Sequence, residues 1–326
     1  MAGQRLKWVT KPDAKLLLRM VRAETFIVAV DGSHMSYVAL RLALSLMRAG
    51  DIVLVVHCVE SGSETTAGKD GVTPISHDTM LRNAQVEALK YRLRPEQVRA
   101  ETLRVHPGSV VQALVTVANR RPKMFFVGAS GRGHEAKPGS KPLGSVAEQL
   151  LIHARVPVVF VRSARGGKFA LRASNEVNLL EPRAPLTIGV AVDGSNIAKR
   201  AFDLAVGLAT PLDTVLATHV HDTGGAYQRA EPSHQLKNLQ PLYVAECAKA
   251  LALRRAKDVR FVALPKKRDD TNHAKIADFC ADAGVDLLVL GSIELADPSK
   301  GLYLGSVAAA CAKATDTNVC IVKNFV

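Results

Sequence analysis

No stretch of the sequence is apolar over the roughly 18 residues that a membrane-spanning helix needs, which argues against a helical membrane protein. Cysteine is sparse. Cys58, Cys247, Cys280, Cys311 and Cys320 form no CxxC pair and most sit in apolar stretches, so a zinc ribbon or disulfide framework is not expected. Buried, reduced thiols in an intracellular protein are the expectation. Aromatic residues make up 5% of the chain, with a single Trp, which leaves few platforms for stacking nucleic-acid bases. The sharpest phosphate-binding signatures are missing too. GSKPLGS has the GxxxxG spacing at Gly139 and Gly144 but no Lys before Ser145, so it is not a Walker A loop. No GxGxxG follows the first strand-like run. The N-terminus has no signal-peptide core. It carries Arg5, Lys7, Lys11, Lys15, Arg19 and Arg22 against Asp13 and Glu24, and reads as a basic extension over residues 1–24. An organelle-import address is the alternative to the expected cytoplasmic location.

What the chain does have is repetition. VAVDGS occurs at Val28–Ser33 and again at Val190–Ser195. His57 recurs as His219, LGSVA at 143–147 recurs at 304–308, and VVFVR at 158–162 matches VCIVK at 319–323. FFVG ending at Gly128 matches LVLG ending at Gly291. Markers in one order with nearly constant offset show a duplication. Each copy reads as five short Val/Ile-rich runs alternating with helical patterns. In copy one the strands fall at 25–30, 51–58, 98–105, 123–128 and 157–162, and the helices near 33–48, 76–93, 109–120 and 145–154. Copy two repeats this with strands near 186–192, 214–220, 259–264, 286–291 and 318–322, and helices near 196–209, 233–254, 271–283 and 306–314. Short apolar runs alternating with helices predict an α/β fold, a doubly wound parallel sheet covered on both faces. Ser33, Ser76, Ser109 and Ser145 stand where a hydroxyl can cap a helix. The division expected is a 1–24 extension, domain one at 25–162, a polar linker at 163–184 and domain two at 185–326.

Charge is uneven between the halves. Of the net +13, residues 1–183 carry 27 Lys and Arg against 15 Asp and Glu, and residues 184–326 carry 16 against 15. A one-sided basic excess suits an anionic partner, or simply a solubilising surface.

In an open parallel sheet ligands sit past the carboxyl ends of the strands, where the winding reverses. The first strand ends in Asp31-Gly32-Ser33, and Gly32 permits a tight turn; Asp31 and Ser33 either face a ligand or merely cap the next helix. The fourth strand runs into GASGRGHEAKPGSKPLGS, with glycines at 128, 131, 133, 139 and 144 and cations Arg132, Lys137 and Lys141. It closes on Gly144-Ser145 at a helix start, where free N–H groups and the helix dipole favour phosphate. His219 and His221 would share one side of a strand, yet no partner except Asp222 is placed to complete a metal site, so none is expected.

A strand ending in Asp, a second ending in His-Val-like residues, and G-x-x-G followed by a spacer and G-[ST] resemble the universal stress proteins, and the resemblance covers both copies. It implies two five-stranded sheets in the order 3-2-1-4-5, packed as a pseudo-dimer through strand 5, with ATP at strands 1 and 4 of copy one. Asp31 and the backbone of Cys58 would hold adenine and its surroundings. Gly128 would lie near the ribose, and Gly131, Arg132, Gly144 and Ser145 near the phosphates, with Mg²⁺ or Mn²⁺ on them. The family spacer of nine residues is twelve here, Arg132 to Leu143. In copy two Gly291, Gly305 and Ser306 remain, but Glu294 replaces the second Gly, Asp297 adds a second acid, and Lys300 is the only loop cation. Like-charge repulsion of a triphosphate makes that site degenerate, with Asp193, Val220 and Gly291 left for an adenosine end. The resemblance therefore implies an ATP-binding stress or signalling module, with homodimers a further expectation. A slow ATPase or phosphotransferase and a basic nucleic-acid-binding protein are the alternatives. Without a Walker lysine, a Walker B acid or an evident base to position water, efficient turnover is not expected.

Overall fold

A computed structural model describes residues 23–61, 65–66, 75–89, 91, 93–130, 143–162, 184–223, 234–292, 295–297, 301–303 and 305–323. The expected extension and linker lie outside them, except at residues 23–24 and 184.

Copy one contains β1 (Thr25–Ala29), α1 (His34–Leu46), β2 (Ile52–Glu60), α2 (His77–Leu89), β3 (Val98–Val105), α3 (Val110–Ala118), β4 (Met124–Gly128), α4 (Ser145–His153) and β5 (Val158–Val161). Copy two contains β6 (Thr187–Ala191), α5 (Asn196–Leu208), β7 (Thr214–Asp222), α6 (His234–Ala252), β8 (Asp258–Lys266), α7 (Asn272–Asp282), β9 (Leu287–Ser292), α8 (Ser306–Ala314) and β10 (Asn318–Lys323). All ten strands form one sheet in the order β8-β7-β6-β9-β10-β5-β4-β1-β2-β3. Each half has the order 3-2-1-4-5 and is parallel throughout; the halves join at an antiparallel pair, with Val158, Val159 and Phe160 opposite Ile321, Cys320 and Val319. Antiparallel joining points the carboxyl edges of the two halves in opposite directions, so the two candidate ligand edges lie on opposite rims of the sheet.

Central strands are buried on both faces, which is why they read as continuous apolar runs: Phe26, Ile27 and Val28 in β1 are all at most 1% exposed. The outermost strand β3 instead exposes Arg99 and Arg104, and its counterpart β8 exposes Arg260 and Pro265. Charge and proline on an edge discourage pairing with another chain. One core layer lies on each face of the sheet, and both layers draw on residues of both copies. Opposite the ligand edges, buried Asp51 and Asp213 make the same staple. Asp51 accepts from the N–H groups of Glu24 and Arg48 at 3.0 and 2.8 Å, and Asp213 from those of Leu186 and Thr210 at 2.8 and 2.7 Å.

Cations from both copies hold the halves together: Arg48 donates to the Gly207 carbonyl in the last turn of α5, and two more act at the last helices of the two copies. Lys323, buried at the end of β10, donates to the Ile152 carbonyl in the last turn of α4 at 2.8 Å. Arg162, just after β5, donates through Nε to the Ala312 carbonyl in the last turn of α8 at 3.1 Å, and through its second terminal nitrogen as well. Burial lowers the Arg162 pKa. Each copy thus supplies the cation that caps the other copy's last helix, where carbonyls lack intrahelical partners and the dipole is negative. The Arg and Lys that close VVFVR and VCIVK are interface residues. A surface pair, Lys313 Nζ to Glu148 Oε1 at 2.9 Å, adds a contact between α8 and α4.

Helix starts correct one detail of the sequence reading. Ser33 caps α1 by accepting from Ser36 N–H. Ser109 occupies the cap position of α3 without a side-chain bond, and Ser145 is the first residue of α4 behind Gly144; Ser76 stands immediately before α2. Arg162→Met and Lys323→Met each leave a helix carbonyl without its buried donor, and each is expected to cost about 1–3 kcal/mol in urea unfolding.

Candidate functional site

The β1–β2 ladder stops at Ala29 opposite Val56, although the Val30 N–H still donates to the Val56 carbonyl at 2.9 Å. The Val30 carbonyl receives the ring of His57 from the neighbouring strand, with Nδ1 at 2.7 Å. The chain then turns through Asp31-Gly32-Ser33. Gly32 has φ 82°, a left-handed conformation that glycine adopts at no steric cost. Asp31 Oδ1 accepts from the Ser33 N–H at 2.9 Å, and Ser33 Oγ accepts from the Ser36 N–H at 3.2 Å. Copy two builds the same corner. Gly194 has φ 87°, Asp193 Oδ1 accepts from the Ser195 N–H at 2.9 Å and from its hydroxyl at 2.6 Å, and His219 Nδ1 lies 2.8 Å from the Val192 carbonyl. The repeated hexapeptide makes one local structure twice. Asp31 is half-buried, whereas Asp193 is exposed.

Glycines at the end of the fourth strand of each copy are set by helix packing. A Cβ on Gly128 would stand 3.2 Å from Met35 Cβ in the first turn of α1. A Cβ on Gly291 would stand 2.8 Å from the backbone carbonyl carbon of Ile197 and 2.9 Å from its oxygen. That second contact is with main chain and cannot be relieved by a rotamer change.

The last helix of each copy begins at the ligand edge without a side-chain cap. Gly144 is the cap residue of α4 and Gly305 of α8, and Ser145 and Ser306 are exposed at the first helical position. First-turn N–H groups therefore face the loop side, where the dipole is positive. The two starts are fastened differently. The Gly144 N–H donates to the Ala129 carbonyl at 2.7 Å, and the Gly305 N–H donates to the buried Ser292 hydroxyl at 3.1 Å. Glu148 puts a carboxylate in the first turn of α4, and the cross-domain bond from Lys313 partly neutralises it.

Asp31, Cys58, Gly128, Gly144 and Ser145 all belong to the carboxyl edge of copy one, and Asp193, Val220, Gly291, Gly305 and Ser306 to that of copy two. Gly131 and Arg132, with Lys137 and Lys141, lie outside the described residues, as do Glu294 and Lys300. In copy two Leu295–Asp297 pairs antiparallel with Gly301–Tyr303, so part of that loop is a small ladder. Cys58 and Val220 turn their side chains onto the same core layer, which leaves their backbones to face the strand-1 side. Burial pushes the Cys58 thiol up to about 11. Sequence reasoning found the positions of His57 and His219 but not their bond; the recurrence was the available signal. Among the described residues no group of three or more His, Cys, Asp or Glu could hold a metal ion.

Two measurements check this geometry. Gly291→Ala is expected to destabilise by about 2–3 kcal/mol and Gly128→Ala by about 1 kcal/mol or less, read from urea unfolding. A thiol raised from 9.0 to about 11 is neutral at pH 8, and its thiolate appears only as pH climbs towards that value. Alkylation of Cys58 by iodoacetamide at pH 8 is expected to be about a hundredfold slower than that of free cysteine, rising about tenfold per pH unit up to pH 10.

A family model described as the Universal stress protein family matches residues 23–162 and again 186–323. No curated protein matches the sequence significantly. Among solved structures, a universal stress protein from Archaeoglobus fulgidus aligns over 92% of this chain and 98% of its own at 16% identity, with a TM-score of 0.57. One from Pseudomonas aeruginosa aligns over 94% and 95% at 14% identity, with a TM-score of 0.55. At these identities the likeness shows a shared fold. The two family matches together span most of the sequence, and the chain belongs to the universal stress protein family as a tandem of two such domains.

Proposed function

We propose that this protein is an ATP-binding stress or signalling module with one working nucleotide site, in copy one. The observation that carries the reading is the start of α4. Gly144 leaves its first turn without a side-chain cap, and Ser145 is exposed at the sheet edge where β1 has already turned away at Asp31. Uncapped N–H groups, a hydroxyl donor and a positive helix end suit a phosphate chain. The backbone of Cys58 and the Asp31 carboxylate suit the adenosine end, Gly128 would lie near the ribose, and the loop sequence offers Gly131 and Arg132 for the phosphates. Mg²⁺ or Mn²⁺ would ride on the phosphates, because no carboxylate cluster among the described residues would hold a resident ion. Copy two has the same corner, but its loop sequence carries Glu294 and Asp297, acids that disfavour a phosphate chain, and its role is structural. Both strand-5 edges are consumed within the chain, so a homodimer would have to use another surface.

Ser145→Glu tests the site without weakening the helix, since a carboxylate is favourable at a helix N-terminus. It is expected to lower Mg-ATP affinity by calorimetry at least about tenfold through repulsion of the phosphates, while Ser306→Glu in copy two changes it by less than about twofold. Unchanged affinity in Ser145→Glu would sink the assignment. Phosphate release in the same samples separates a binding module from a slow ATPase, and salt-dependent binding of a random oligonucleotide would favour the nucleic-acid alternative.

A further inference from the structure

The main-chain groups of Val56 point to β1, since its carbonyl accepts from the Val30 N–H. Backbone direction alternates along a strand, so Cys58 points its N–H and C=O to the same side, one step beyond the last β1–β2 pair. In a parallel ladder that continued, the Cys58 N–H would donate to the Val30 carbonyl. The His57 ring is there instead, with Nδ1 at 2.7 Å. A carbonyl only accepts, so the proton sits on Nδ1. Copy two repeats the substitution. His219 Nδ1 lies 2.8 Å from the Val192 carbonyl, where the ladder would have brought the Val220 N–H. The His219 ring is 4% exposed, and its Nε2 has no partner among the described residues. Burying a ring nitrogen unpaired is costly, so a ring kept there is kept for the bond its other nitrogen makes.

We propose that His57 is a positioning residue for the nucleotide site. Its imidazole occupies the Val30 carbonyl and ends the β1–β2 ladder one rung early. The Cys58 N–H is thereby left directed at the ligand edge, beside the corner that carries Asp31. This rests on the adenine-nucleotide reading of copy one. His219 makes the same bond in a copy whose loop disfavours phosphate, so the duplication supplies an internal control. A role in stability alone would appear equally in both histidines; a role in ligand positioning appears only in His57.

The test uses the full chain with His57→Leu, His57→Asn and His219→Leu. Both Leu variants are expected to unfold at lower urea by similar amounts. His57→Leu weakens Mg-ATP binding at least about tenfold, whereas His219→Leu changes it by less than about twofold. His57→Asn keeps an N–H donor near the Nδ1 position and recovers most of the affinity. In the nucleotide-free protein, His57→Leu lets the Cys58 amide take the Val30 carbonyl, and its hydrogen exchange by NMR slows at least about tenfold. The proposal is overturned if His57→Leu binds like wild type or if His219→Leu loses as much affinity. It is also overturned if the wild-type Cys58 amide is already as protected as that of Val56. If wild type binds no Mg-ATP, the functional reading fails by itself, and the Cys58 exchange rate still decides whether His57 directs that amide.

Discussion

Strands β5 and β10 meet antiparallel along Val158–Phe160 and Val319–Ile321, and the remaining architecture depends on that contact. Apart, each five-stranded sheet would end in a strand buried on both faces and rich in Val, Ile and Phe, an edge prone to pairing with other chains. Joined, they remove both edges and merge the two halves into two continuous core layers. Lys323 and Arg162 complete the joint by capping each other's neighbouring helix end. α4 is therefore held at its carboxyl end by copy two while its amino end faces the copy-one ligand edge. Copy two thereby fixes the helix on which the proposed copy-one site rests.

Antiparallel joining also decides how the two candidate ligand edges of one chain relate. Their edges lie on opposite rims, so they cannot share one ligand, and each loop can diverge without disturbing the other. The divergence is local. The corners at Asp31 and Asp193 match in dihedral angle and bonding, and so do the buried staples at Asp51 and Asp213. Beyond the greater exposure of Asp193, the differences begin at the end of the fourth strand. Ser292 replaces Ala129 and supplies a side-chain acceptor to the next helix start, and Glu294 stands where copy one has Gly131.

Much of this was legible in the sequence, for physical reasons. Strands buried on both faces leave long apolar runs, and helices between them leave period-3.6 patterns, so all ten strands and eight helices fell within a few residues of their predicted places. The doubly wound order and the ligand edge followed from that alternation and the family resemblance. Three things were not legible. Which of several serines near helix starts makes a cap depends on one-residue placement: Ser33 does, whereas Ser109 makes no side-chain bond and Ser145 lies one residue inside its helix. The roles of Arg162 and Lys323 depend on a contact between segments about 150 and 171 residues apart. The bond from His57 depends on where a ladder stops, which composition does not encode. Gly128 and Gly291 matched the family pattern as ligand glycines, while the structure shows that close packing on the α5 main chain already requires Gly291 and that Gly128 is tightly packed on α1.

On the proposed function, duplication of the fold did not duplicate the site. Nucleotide content tests it most directly: purify the chain without added nucleotide, saturate it with Mg-ATP, remove the excess, denature, and quantify adenine nucleotide by ion-exchange chromatography. About one ATP per chain is expected, consistent with one phosphate-accepting helix start. About two per chain would contradict the inequality of the copies, and none, with no heat of binding on titration, would contradict the assignment of a nucleotide to this protein at all.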